Sequence, residues 1–131
     1  MFQFFRDQRR LRFAAAPFPS AWTEIVERRL GYTRRFEPAE LERFLVVLKV
    51  FAHDKEWVGV HGLEVTDEMK VVISGAAARL ARNLDLDVYD QLRTVVVYPS
   101  HFQNEEDVFL GQAFRWGQVV LSWDAVKNGL A

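Results

Sequence analysis

Two stripes of apolar residues at helical spacing open the globular part of the chain. Apolar positions recur every three to four residues from Ser20 to Gly31, which are the predicted cap and end of a first helix. A second stripe starts after Pro38, a residue suited to the first turn of a helix. The predicted core positions are Trp22, Ile25, Val26 and Leu30 in the first helix and Leu41, Phe44, Leu45, Leu48 and Phe51 in the second.

A third helix is predicted to follow Trp57–Leu63, a short extended or looped passage that contains two glycines. Thr66 precedes two acidic residues, which is typical of an N-cap followed by carboxylates at the positive end of a helix dipole. Gly75 and the three alanines after it make the helix narrow on one side, so it can approach another element closely. We predict a buried central helix with the apolar face Met69, Val72, Ile73, Ala76, Leu80 and Leu84.

Runs of β-branched residues replace the helical pattern in the last third of the chain. Thr94–Tyr98 hardly alternates between polar and apolar positions, which predicts a strand buried on both faces. Val108–Leu110 is predicted as a short strand and Gln118–Leu121 as a longer one. Asp124 is then expected to cap a short helix that reaches Asn128. Helices first and a small sheet afterwards predict an α+β fold.

Composition narrows the classes of protein to which the chain can belong. Its 131 residues are 50% hydrophobic, which matches one folded domain and excludes disorder of the whole chain. The net charge of -1 argues against non-specific electrostatic binding to nucleic acid. The chain has no cysteine, which excludes disulfides and thiolate zinc sites. No apolar run is long enough to span a bilayer.

Positive charge is concentrated in the first residues. Residues 1–35 hold eight arginines and three acidic residues, hence +5. Residues 1–19 form a basic, aromatic arm that does not have the pattern of a secretory signal. It is predicted either to pack its aromatic residues on the body or to bind a partner or a membrane surface. Its aromatic and basic residues include Phe2, Phe4, Phe5, Arg6, Arg9, Arg10 and Arg12.

The residues themselves predict no active site. His53, His61 and His101 lack the spacing of the helical two-histidine zinc motif, although scattered ligands can still converge on a metal in space. Ser74 lies within a helical pattern, and Ser100 is only a sequence neighbour of a histidine. Two acidic runs, one at Asp85, Asp87 and Asp90 and one at residues 104–107, lack the turning glycine and distal glutamate of a calcium loop.

Three segments carry a recognisable pattern, namely Trp57–Val71 with its Gly-Leu-Glu and capped helix, Val95–Phe102 with its Tyr-Pro, and Gly117–Asp124. In this order they resemble the Mlc titration factor A family of bacterial zinc-dependent peptidases. The resemblance covers residues 20–128. It implies that the chain is the first half of a cytoplasmic, zincin-like metallopeptidase. The complete enzyme would hydrolyse peptide bonds with a zinc-activated water.

The resemblance also implies where the zinc site belongs. In this family a His-Glu-x-x-His helix that supplies two zinc ligands and the general base follows the segment similar to Gly117–Asp124. This sequence ends at Ala131 without that motif, so no catalytic or metal-binding residue is assigned here. Residues 20–131 are therefore expected to be the N-terminal α+β portion of the peptidase, with the catalytic half absent. Alone, the chain is expected to be inactive and without zinc.

The strand before the zinc helix implies a substrate site in this half of the enzyme. By analogy with zinc peptidases of this plan, Gln118, Val119, Val120 and Leu121 are predicted to bind an extended peptide along the strand edge. The alternative function is a non-catalytic module that binds a regulatory protein such as a transcriptional repressor. Uncovered strands at Thr94–Tyr98 and Val119–Leu121 also predict self-association of this chain.

Overall fold

Helices and a parallel sheet make up the part of the chain that the computed structural model describes, namely residue 8 and residues 11–81, 91–100 and 117–128. Residues 11–15 are helical and lie in the arm. The elements that follow are α1 (Ser20–Arg29), a 3₁₀ helix (Gly31–Arg35), α2 (Pro38–Asp54), β1 (Glu56–Gly59), α3 (Asp67–Leu80), β2 (Thr94–Tyr98), β3 (Gln118–Ser122) and α4 (Trp123–Asn128).

The three strands form one parallel sheet in the order β1-β2-β3. Trp57 lies beside Val95, which lies beside Val119. Two parallel neighbours need a crossover connection, and α3 provides it between β1 and β2. The α+β prediction is confirmed, and the passage expected to be extended or looped contains the first strand of the sheet.

One apolar core joins the helices to one face of the sheet. α3 packs against α2 and α1, and side chains from all three helices belong to the same buried cluster as Val95 and Val97 of β2. Leu30, Leu48, Val71, Val72, Val95 and Val97 are completely or almost completely buried. Every predicted core position of α1 is buried; in α2, Leu41 and Leu45 are only partly buried.

The predicted apolar face of α3 is only partly right. Met69, Val72 and Ile73 are buried, but Ala76 is exposed and Leu80 is 75% exposed. The buried surface of α3 also includes Ser74, Gly75 and Ala78. One side of α3 contacts the other helices, and another side belongs to the core beneath the sheet. Leu84 lies outside the described residues.

Two predicted caps are wrong and one is confirmed. Thr66 accepts the Met69 backbone N–H at 3.3 Å and caps α3 as expected. Ser20 is the first residue of α1, and Pro19 holds the cap position without a side-chain hydrogen bond. At α4 the cap is Ser122, whose hydroxyl oxygen accepts the Ala125 N–H at 3.3 Å; Asp124 lies inside the helix.

The burial of β2 differs between its two faces. Val95 and Val97 are fully buried, whereas Thr94, Val96 and Tyr98 are half-buried. This run of β-branched residues was expected to be buried on both faces. Among the described residues, only the face towards the helices is fully buried. The opposite face is therefore the more accessible face of the sheet.

The end of the arm is attached to α2 by a buried lysine. The Lys49 ammonium, on a side chain that is 5% exposed, donates to the carbonyl oxygens of Ala14, at 2.8 Å, and Ala16. Phe13 stacks on the ring of His53, with 5.4 Å between the ring centroids. This part of the arm packs on the body, as one of the two predictions for it required; residues 1–7 lie outside the described residues.

Gly75 provides a direct test of this packing. A Cβ at position 75 would lie 2.8 Å from Leu30 Cδ1 and 3.2 Å from the Tyr32 hydroxyl oxygen. We expect Gly75→Val to lower the free energy of unfolding by about 2–3 kcal/mol, because overpacking forces neighbouring side chains to shift. Ala76→Val adds similar bulk at an exposed position of α3 and should cost less than about 1 kcal/mol. Equal losses in urea unfolding would contradict the close contact.

Tyr32 provides a test by pH. Burial raises its pKa to about 12 from 10.0, and the nearby Arg79 charge, whose guanidinium carbon lies 4.3 Å from the ring centroid, opposes this rise. The unfolded chain ionises at the lower value, so the stabilisation is complete below pH 10.0 and is lost as the pH rises towards about 12. Urea unfolding over this range should show a steeper loss of stability in the wild type than in Tyr32→Phe. Parallel curves would contradict burial of the phenol.

Candidate functional site

The predicted substrate strand lies at one end of the described sheet. β3 pairs with β2 through five register positions, from Thr94 beside Gln118 to Tyr98 beside Ser122. Within residues 11–81, 91–100 and 117–128 it has no neighbour on its other side. Gln118 is exposed, and Val119, Val120 and Leu121 are half-buried. The structure thus places all four predicted residues along one terminal strand.

The side chains of β3 alternate between two different environments. Val119 and Leu121 pack against the core on the helix side, beside Val95 and Val97. Val120 lies on the opposite face of the sheet, in a row with Val96 of β2 and Val58 of β1. Gln118 is in a neighbouring polar row, in which the Thr94 hydroxyl donates to Glu56 Oε1 at 3.1 Å. The accessible face of the sheet therefore carries a short valine row beside a polar row.

The carboxyl ends of β1 and β2 bring a histidine and a tyrosine together. His61 follows β1 with φ of 56°, and Gly62 continues the turn with φ of 79°. The His61 ring is exposed and lies 5.2 Å from the Tyr98 ring, measured between centroids. The pair therefore lies at the β1–β2 side of the sheet, with Tyr98 on the strand next to β3.

His53 has a structural environment. Its Nδ1 is 2.8 Å from the Lys49 carbonyl oxygen, one helical turn earlier in α2. Its ring contacts Phe13, at 5.4 Å, and Trp22, at 5.2 Å between centroids, while the residue remains exposed. These contacts join the arm to α1 and α2, so His53 is part of the packing between them.

The described residues do not fit a catalytic zinc ion. A catalytic zinc site uses three protein ligands, and no group of three or more His, Asp or Glu side chains converges within the described ranges. His101 and the acidic runs at residues 85–90 and 104–107 lie outside those ranges.

The serines considered from the sequence also lack the setting of a nucleophile. Ser74 is completely buried in α3, and its hydroxyl has no hydrogen-bond partner in the described structure. Ser100 is exposed just beyond β2, while its sequence neighbour His101 is not among the described residues. Neither residue is shown beside a general base.

Sequence reasoning missed the anchoring role of Lys49. One signal for it was present, since Lys49 stands between Leu48 and Val50 in an otherwise apolar stretch of α2. Its positive charge meets the carbonyl end of the arm helix, where a cation interacts favourably with the helix dipole. The partner carbonyls are backbone groups, so no pattern of side chains could have identified them.

Comparisons with known proteins agree with the segments that first suggested a family. A family model described as glucose-regulated metallo-peptidase M90 matches residues 4–131. An uncharacterized protein of Synechocystis sp., slr2042, is 28% identical over 134 residues, which cover 92% of this chain and 49% of that protein. The chain thus spans about half the length of this curated relative.

In the part of the chain that the structure describes, no helix combines the length and apolar character needed to cross a bilayer. The family match extends over nearly the whole chain, and it confirms the predicted resemblance to the Mlc titration factor A peptidases. The chain belongs to the family of glucose-regulated metallo-peptidases M90.

Proposed function

We propose that these 131 residues are the N-terminal scaffold of a zinc-dependent peptidase and are inactive alone. The family relationship supports peptide-bond hydrolysis as the activity of the complete enzyme. The compartment in this proposal is the cytoplasm, which the resemblance implies. The half-length match to slr2042 supports a division in which the zinc ligands come from the other half. In this proposal the chain contributes the sheet, the helices behind it and the strand that holds the substrate.

The single observation that carries the substrate role is the position of β3. It is a terminal strand of the described sheet and presents its backbone N–H and C=O groups at that edge. An extended peptide can add to such an edge by main-chain hydrogen bonds, and alternate side chains then determine specificity. Half-buried Val120 and exposed Gln118 are the β3 side chains on the accessible face beside such a peptide.

The direction of the backbone groups identifies Val120 as the residue to test. Glu56 N–H donates to the Arg93 carbonyl at 2.9 Å, and Val60 N–H donates to the Val97 carbonyl at 3.1 Å. Odd-numbered positions of β2 thus point their carbonyls at β1, and alternation points the even-numbered positions at β3. The register partner of Val96 is Val120, and in a parallel pair the backbone groups of Val96 bond the residues before and after Val120. The N–H of Val120 itself therefore points away from β2.

Zinc content and peptidase activity should differ between this chain and the complete protein. The purified 131-residue chain should hold no stoichiometric zinc and cleave no peptide, because no set of three ligands is present in its described ranges. The protein read from the complete gene should hold about one zinc and cleave peptides. Metal analysis and a peptidase assay on both proteins test this. Zinc and turnover in the short chain would overturn the scaffold proposal.

One substitution tests the role of the β3 edge. Val120→Pro in the complete protein removes the N–H that points away from β2. The hydrogen bonds between β2 and β3 are retained. We expect kcat/KM for a peptide substrate to fall about fivefold, the value of roughly one hydrogen bond. Val120→Ala keeps the N–H and should retain near-normal turnover.

Thermal unfolding must first show that both Val120 variants are folded. Normal turnover in a folded Val120→Pro protein would contradict the substrate role of β3. If the complete protein also lacks zinc and activity, the binding-module alternative takes the place of the peptidase proposal. Capture of a transcriptional repressor by the chain would then be the result that supports it.

A further inference from the structure

The segment that joins the arm to α1 contains two prolines. Residues 11–15 are helical, whereas residues 17–19 belong to no helix or strand. Pro17 and Pro19 have no backbone N–H and therefore cannot continue the helical hydrogen-bond pattern. The carbonyl groups at the end of the arm helix consequently need donors from another part of the chain or from water.

Lys49 of α2 supplies two of these hydrogen bonds. Its ammonium group donates to the carbonyl oxygens of Ala14, at 2.8 Å, and Ala16, and the residue is 5% exposed. Burial of an ammonium group is costly unless hydrogen bonds compensate for the lost water. Because backbone groups of the arm provide this compensation, burial of the Lys49 charge and docking of the arm depend on each other.

The second contact between the arm and the body consists of aromatic rings at the surface. Phe13 stacks on His53 of α2, which is exposed, and His53 also contacts Trp22 of α1. Phe13, Ala14 and Ala16 are only half-buried. Chain ends held by partly exposed contacts open at a lower free energy than the core. Residues 11–16 can therefore leave the body without unfolding of α1 and α2.

We propose that residues 11–16 form a strap that opens and closes on the folded body, and that the Lys49 ammonium holds the strap closed. In the closed state the strap covers Lys49, and Phe13 lies on His53. Opening transfers the ammonium to water and uncovers the facing surfaces of the two rings. The open state thereby frees the aromatic surface of the arm for other contacts. The proposal goes beyond the peptidase function and does not depend on it.

The position of the strap controls the reactivity of Lys49. In the closed state the ammonium is covered and hydrogen-bonded, so it does not react with an acylating reagent. In the open state the amine attacks the carbonyl carbon of N-hydroxysuccinimide acetate. An amide C–N bond forms, the C–O bond to N-hydroxysuccinimide breaks, and the protons that the nitrogen loses pass to solvent. The amide is neutral and bulkier than the ammonium, so it opposes closing of the strap.

Acylation rates of three lysines in the 131-residue chain, measured by peptide mass spectrometry, test the opening. Lys127 has a side chain that is 42% exposed, and Lys55 has one that is 4% exposed beside Asp54 in the body. We expect Lys49 to react about tenfold or more slowly than Lys127 and about tenfold or more quickly than Lys55, because only the strap has to open. A Lys49 rate equal to that of Lys55 would mean that the strap does not open separately, and a rate equal to that of Lys127 would mean that it does not close.

Lys49→Met tests the ammonium itself, because methionine keeps an unbranched apolar side chain and removes the N–H donors. Trypsin cleaves after Arg12 only when residues 13–16 leave the body and become extended. We expect this cleavage to be faster by about tenfold or more, the value of one charged hydrogen bond. Cleavage after Lys70, within α3, reports opening of the body and should not become faster. Lys127→Met removes a charge at an exposed site and should leave both rates unchanged.

Two proteolysis results would overturn the proposal. Unchanged cleavage after Arg12 in Lys49→Met, shown to be folded by circular dichroism, would remove the ammonium as the group that holds the strap. Equal acceleration after Arg12 and after Lys70 would show that the substitution weakens the whole fold. No peptidase assay enters these tests, so their outcome is separate from that of the proposed function.

Discussion

The close contact of α3 with α1 and α2 is the constraint on which the rest of the structure depends. Gly75 lets Leu30 and the Tyr32 hydroxyl approach the backbone of α3, and a side chain there would displace Leu30. The same helix is the crossover that makes β1 and β2 parallel, and it belongs to the core that covers one face of the sheet. A shift of α3 would therefore disturb the helix packing and the strand order together.

That arrangement leaves the two faces of the sheet unequal. The helix side buries Val95 and Val97 completely, while the row of Val58, Val96 and Val120 remains half-accessible or exposed. Parallel sheets are usually covered on both faces, and their edges are usually paired or protected. Among the described residues, β3 is therefore a terminal strand with no strand bonded to its outer edge. The proposed function uses that edge for an extended substrate.

The arm and the histidines show how polar groups can serve packing rather than chemistry. Lys49 can be buried because two backbone carbonyls of the arm accept hydrogen bonds from its ammonium group. The exposed His53 packs beside Phe13 and Trp22, and His61 lies in a turn after β1. Family membership indicates metallopeptidase chemistry, yet the described residues do not supply a metal-binding set.

The sequence by itself determined the local elements, because their signals act over a few residues. Proline at the start of α2, Thr66 at the cap of α3 and the β-branched run of β2 each select a conformation without help from distant parts of the chain. Three ordered segments also identified the family. Only the tertiary structure decided which side of α3 is buried, that Ser122 rather than Asp124 caps α4, and that β3 ends the described sheet. These outcomes depend on which elements meet in space, and a periodic pattern shows that a face is apolar without showing what will cover it.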